Sequence, residues 1–200
     1  MTLKILHSRN APWGDYGHIL IHGMTSHLPR TSEGQLQLER TAPYVPPITF
    51  PGGGDIVVTD NFRQRLESSG LTGASFRPVK KARIVKLEWE HWNREAPEPA
   101  IYPNSGEPED YILARRHNPK LAEAVGELWE VVLSIGLTTR RPRSVVERME
   151  EIEVILSSWN GADLCCATGV GYVYVSEPAQ QMLLNEAGDY IAFRDCTIVN

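Results

Sequence analysis

Long apolar runs are missing from this 200-residue chain. No stretch approaches the roughly 20 apolar residues a membrane-crossing helix needs. No basic-then-apolar segment stands at the N-terminus. These absences point to a cytoplasmic chain with no membrane partner. Cysteine is scarce: there are three, two of them adjacent at Cys165 and Cys166. An odd number without framework spacing argues against disulfides and for a reducing compartment. An excess of positive charge is lacking too. Twenty Lys and Arg against 25 Asp and Glu leave a formal net charge of −5. Nucleic-acid binding, which needs clustered cations to replace phosphate counterions, is disfavoured. A basic partner protein is the natural electrostatic match.

Core-forming material is plentiful. The apolar fraction is 42% and there are five tryptophans, enough for one domain or two small halves sharing a core. The chain is organised around Asp55 to Val79, DIVVTDNFRQRLESSGLTGASFRPV. Ile56, Val57 and Val58 form a short apolar strand. Thr59 or Asp60 is placed to cap a helix through a side-chain oxygen. Phe62 and Leu66 are four apart and share one helical face. Gly70 stands at a left-handed C-cap, Gly73 turns the chain, and a second strand ends at Phe76 to Val79. A shift of 117 positions (Val58 to Val175) lays this unit on VYVSEPAQQMLLNEAGDYIAFR near the C-terminus. Thr59 meets Ser176, Asp60 meets Glu177, Leu66 meets Leu183, and Phe76-Arg77 meets Phe193-Arg194. The expected class is α+β, with mixed sheets, few helices and two similar strand–helix–strand units.

The remaining pattern divides the chain into an N-terminal half over 1–92, a proline- and glutamate-rich linker over 93–110, and a C-terminal half over 111–200. Met1 to Leu6 reads as a strand, and so does Tyr16 to Gly23 (YGHILIHG). Leu28 to Phe50, with Pro43, Pro46 and Pro47, reads as a long loop. Val79 to Trp92 reads as a strand with Glu88 and Glu90 on a solvated face. Tyr111 to Ala114 is a short strand or turn. The strongest helix signal follows: Asn118 as cap, Pro119 at the first position, and Gly136 past the end. On that helix Leu121, Val125, Leu128 and Val132 would form the buried stripe, and Glu123, Glu127 and Glu130 an acidic one. Leu137 to Arg143 reads as a loop. ADLCC and YVYV read as strands.

Few residues suggest chemistry. His18, His22 and His27 are the best metal-like set, since alternate strand positions can bring imidazoles to one ion. A further ligand is not evident, so no metal and no cofactor is expected. Gly52 to Gly54 could wrap phosphate, yet they precede a strand, and no lysine follows in phosphate-loop spacing. The vicinal cysteines, flanked by Leu164 and Ala167, read as buried apolar residues.

The phrase IVVTDNFRQRLESSGLTGASFRPV resembles a segment found in bacterial immunity proteins of polymorphic toxin systems: strand, Ser/Thr–acid, helix, Gly-Leu-x-Gly, aromatic, proline. YVYVSEPAQQMLLNEAGDYIAFRDC is a weaker version. The group it is similar to is the double-CxxCG immunity family and its uncharacterised relatives. The chain has no CxxC pair, so no zinc site is carried over. The resemblance implies a cytosolic antidote that binds a cognate toxin domain and blocks it by direct contact; the charge balance matches a basic toxin. Its contact residues would be Trp89, Glu90, Trp92, Tyr102, Glu123, Glu127 and Glu130, because buried aromatics anchor interfaces and acids steer a basic partner. The alternative is a small hydrolase acting on a nucleotide or an ADP-ribosyl adduct. His18, His22, Glu88, Glu90 and Asp163 would be its acid–base groups.

Overall fold

A computed structural model of the chain describes residues 2–87, 97, 102–141 and 152–199. In chain order the elements are β1 (Leu3–Ser8), α1 (Gly14–His22), β2 (Gln37–Ala42), β3 (Ile48–Thr49), β4 (Val57–Thr59), α2 (Asp60–Ser68), β5 (Ala74–Pro78), β6 (Lys80–Lys86), α3 (Asp110–Leu113), α4 (Pro119–Ala124), β7 (Leu128–Leu133), β8 (Ile135–Arg140), β9 (Glu153–Ile155), β10 (Leu164–Thr168), β11 (Val170–Ser176), α5 (Glu177–Ala187), β12 (Ile191–Asp195) and β13 (Thr197–Val199). Strands outweigh helices and the largest sheet is mixed, so the class is α+β. That sheet runs β12-β1-β11-β10-β8-β9-β13, a second runs β3-β4-β7-β5, and β2 and β6 form a parallel pair.

Two compact units result, each assembled from separated stretches: Met1–Arg9, Gln64–Ser75 and Val132–Asn200 in one, Asn10–Arg63 and Phe76–Val131 in the other. Of the stretch 93–110 expected as a linker, residues 97 and 102–110 are described, and Asp110 begins α3; 93–96 and 98–101 lie outside the described residues. The first unit's core is laid on the seven-stranded sheet by Leu3, Ile5, Leu137, Val154, Cys165 and Tyr174. Helix α5 buries Ala179, Leu183 and Ala187, four residues apart each time, and packs on β1, β11 and β12. In the second unit Tyr16, Leu20, Met24, Val85 and Ile112 form one cluster, and Leu38, Val57 and Leu128 contribute to another.

The two strand–helix–strand units are built alike. In neither do the flanking strands pair with each other. A guest strand from a distant part of the chain lies between them: β7 between β4 and β5, and β1 between β11 and β12. Both guests run antiparallel to the leading strand. Leu128 faces Thr59 and Leu3 faces Ser176, so the two positions equated by the 117-residue shift receive their guests in one register. At the far end the match repeats. The Ser134 amide donates to the Gly73 carbonyl at 3.0 Å, and the Arg9 amide to the Tyr190 carbonyl at 2.9 Å. Positions 73 and 190 carry the same shift. The caps agree as well: Thr59 Oγ1 accepts from the Phe62 amide and Ser176 Oγ from the Ala179 amide, both at 3.4 Å. Each such cap contributes about 1 kcal/mol.

Four local expectations are corrected and one is narrowed. Tyr16 to Gly23 is helix, not strand, because its buried residues Tyr16, Gly17, Leu20 and Ile21 recur at helical spacing. Leu28 to Phe50 is not all loop. It contains β2, with Leu38, Glu39, Arg40 and Thr41 buried on both faces, since proline bars helix without barring a neighbouring strand. Of the two alternatives for Tyr111 to Ala114, strand is excluded: Tyr111 to Leu113 lie in the single helical turn α3, with Ala114 as its C-cap. The long helix from Asn118 to Gly136 stops at Ala124. Asn118 does cap it, accepting from the Leu121 amide at 3.1 Å. Gly126 then takes φ +74°, and the bulky and β-branched run Leu128 to Leu133 continues as the guest strand β7. Finally, of Leu137 to Arg143, expected as loop, Leu137 to Arg140 belong to strand β8, which lies between β10 and β9.

Candidate interaction surface and buried polar networks

The expected contact residues separate into three groups. Trp89, Glu90 and Trp92, together with Glu88, lie outside the described residues. Tyr102, Glu123 and Glu127 are exposed. Glu130 is not a surface acid: it is 6% exposed. The acidic stripe Glu123–Glu127–Glu130 therefore does not exist. Glu123 is on α4, Glu127 lies beyond the Gly126 turn, and Glu130 points into the second unit from β7.

Glu130 is the centre of a network that sequence reasoning missed. Arg30 donates to both its carboxylate oxygens, at 2.8 and 2.7 Å. Arg77 stands 3.8 Å away. Both arginines also donate to the Gly34 carbonyl, at 3.1 and 3.0 Å. Arg30 lies 3.7 Å from Asp55, whose carboxylate accepts from the Thr25 hydroxyl at 2.7 Å. The bidentate fork ties the 25–35 segment to the sheet. A second buried acid, Glu39, pairs with Arg83 at 3.1 Å and has His27 at 3.9 Å. Arg40 is fully buried and donates to the carbonyls of Thr41, Ile21 and Tyr44. Burial pushes its guanidinium down to about 10, with Tyr44 acting in the opposite direction. The carboxylate partners Glu130 and Glu39 lie 100 and 44 residues from Arg30 and Arg83, beyond the reach of a local pattern.

The histidines do not form the expected strand set. His18 and His22 are four apart on α1, with ring centroids 4.5 Å apart, while His27 sits with Glu39. His22 Nδ1 accepts from the Phe50 amide at 3.3 Å, which places its proton on Nε2. No group of three His, Cys, Asp or Glu able to hold a metal occurs among the described residues. Burial lowers the His18 pKa below 6.5, outweighing its hydrogen bond to the Phe50 backbone and the charge of Asp15. The unfolded chain thus binds a proton at this position more readily than the folded one. Stability linked to His18 is present above about pH 6.5 and is lost as the pH falls below it. The urea midpoint should drop between about pH 7.5 and 5.5, and His18→Gln should flatten that drop. An equal drop in the variant would contradict this assignment.

In the first unit, Asp163 accepts from the Ser176 hydroxyl at 2.7 Å, the Thr72 amide at 3.0 Å and the Thr72 hydroxyl at 2.9 Å. Burial pushes its carboxyl up, but these three bonds outweigh burial and hold it below the usual carboxylate range. Its oxygens join the Gly-Leu-Thr-Gly turn to the cap of α5. Burial raises all three thiols, that of Cys165 to about 11. A thiol held neutral is a poor nucleophile.

Aromatic side chains gather around Tyr16. The Tyr102 ring lies 4.5 Å from it, tilted by 30°. Tyr111 meets it edge-on at 6.2 Å. The Arg115 guanidinium stands 3.7 Å over Tyr111 and donates to the Tyr111 carbonyl at 2.6 Å. Tyr16 and Tyr111 are buried, and Tyr102 is 48% exposed. No helix among the described residues is long and apolar enough to cross a membrane. No family model matches the chain, and no curated protein matches it.

Proposed function

We propose that the chain is an immunity protein, which binds a cognate bacterial toxin domain in the cytoplasm and neutralises it by direct contact. One observation carries the reading. The two stretches that resemble segments of immunity proteins form the same strand–helix–strand module, and each holds a guest strand in the same register. The two stretches that carry the resemblance are thus alike to each other in architecture as well as in letters. The net charge of −5 adds electrostatic attraction to a basic toxin and speeds encounter. Tyr102 supplies an exposed aromatic of the kind that anchors interfaces.

The test is protection. Bacteria expressing the toxin domain encoded beside this chain's gene should stop growing, and co-expression of the chain should restore growth. Continued arrest with the chain abundant and folded would contradict the proposal.

A further inference from the structure

We propose that Asn160 is a modification site: its side-chain amide condenses with the Gly161 backbone nitrogen to a succinimide, which water opens to aspartate and isoaspartate. Asn160-Gly161 is the chain's one Asn-Gly pair, and the site does not depend on the immunity reading. Both residues are exposed, on the turn that leads into β10. The Ala162 amide donates to Asn160 Oδ1 at 3.0 Å. That bond closes a side-chain-to-backbone turn whose ring contains both reacting atoms, Asn160 Cγ and the Gly161 nitrogen. The oxygen is confined from a second side: it lies 3.0 Å from where a Cβ at Gly136 would stand. The backbone of the turn is held as well. The Asn160 amide donates to the Gly136 carbonyl at 2.9 Å, and Trp159 Nε1 donates to the Ala162 carbonyl at 3.0 Å.

The groups that must react are left unbound. Neither the Gly161 amide nor Asn160 Nδ2 has an acceptor among the described residues. Gly161 takes φ +86°, and open space lies where its Cβ would be, so no side chain shields the nitrogen. The Ala162 hydrogen bond draws electron density towards Oδ1 and makes Cγ more electrophilic, as a donor aimed at a developing oxyanion does. Solvent base takes the Gly161 amide proton, the nitrogen bonds to Cγ, the Cγ–Nδ2 bond breaks, and Nδ2 leaves as ammonia. Water then adds to one or the other imide carbonyl. Either product carries a negative charge that Asn160 lacks. Isoaspartate also makes Cγ a main-chain carbonyl carbon and lengthens the backbone by a methylene, which dismantles the turn.

The test ages the intact chain at neutral pH, folded and in guanidinium chloride, and maps its peptides by mass spectrometry. In the folded chain Asn160 should convert ahead of every other asparagine, and at least as fast as it does in the unfolded one. An isoaspartyl methyltransferase with a labelled methyl donor should mark the aged wild type at residue 160. On isoelectric focusing the aged wild type should gain a band shifted by one negative charge. Asn160→Ser keeps an acceptor for the Ala162 amide but has no amide to lose. It should gain neither the label at that position nor the acidic band. Slower conversion in the folded chain than in the unfolded one would overturn the proposal, because the turn would then protect Asn160. An aged folded chain whose residue 160 stays asparagine would overturn it too; both readings come from the wild type and need no variant.

Discussion

Gly73→Ala is expected to cost about 3 kcal/mol or more, a large share of the 5–15 kcal/mol that holds a typical domain together. Gly73 has φ +95°, a region side chains rarely enter. A Cβ built there would stand 2.0 Å from the Leu164 carbonyl oxygen and 2.9 Å from the Ala162 Cβ. Neither neighbour can yield cheaply. Leu164 is paired in register with Val175 in the seven-stranded sheet, and its amide already donates to the Thr72 carbonyl at 3.0 Å. Moving that strand would also disturb Asp163, which holds Thr72 and Ser176. Gly70→Ala is the control. It has φ +76° but open space around the added methyl, so only the backbone term of about 1 kcal/mol applies. Urea denaturation of both variants checks the pair. A Gly73→Ala midpoint equal to that of Gly70→Ala would show that the close approach of the turn to β10 is wrong.

Glu130→Ala has the second largest expected effect, about 2–3 kcal/mol. Removing one partner of a fully buried pair costs about 3–5 kcal/mol. The lower figure applies because Arg30 and Arg77 have side chains 41% exposed and can rehydrate. A cycle with Arg30→Ala separates the pair from the rest. Arg30→Ala alone should cost less than Glu130→Ala, because Arg77 remains beside the carboxylate. The coupling should be about 1–2 kcal/mol and should shrink only partly in high salt, since the carboxylate is shielded from solvent. Zero coupling would mean the fork adds nothing and the 25–35 segment is held by other contacts.

How much of this was readable in the sequence depended on the range of the signal. The unit around Asp55 to Val79 was legible because its cap, its Phe62–Leu66 face and its two glycines all act within one helix or turn. Its C-terminal copy was legible for the same reason. The guest strands were not. Nothing in LWEVVL says that it will lie between β4 and β5, and its period fits helix and strand alike. Gly126 was the local clue that the helix ends early, and it was outweighed by the apparent stripe of glutamates. Glu130 is a buried ion-pair acid and not a contact residue, because on a strand it shares the face of Leu128, two positions before it, and that face is buried. YGHILIHG fits strand and helix alike for a related reason: a short apolar run has no unique period. Arg30 and Arg77 find Glu130 far along the chain, and only the assembled sheet brings those together. Tyr102 was singled out for its type and its acidic neighbours, and Tyr16 is what holds it in place.

Stoichiometric neutralisation is decided by titrating toxin activity against added chain and then separating the mixture by size. Activity should fall linearly to zero at one equivalent of chain, with both proteins eluting together and the toxin active again once dissociated. Inhibition completed by a small fraction of an equivalent, or toxin fully active beside an excess of folded chain, would contradict it.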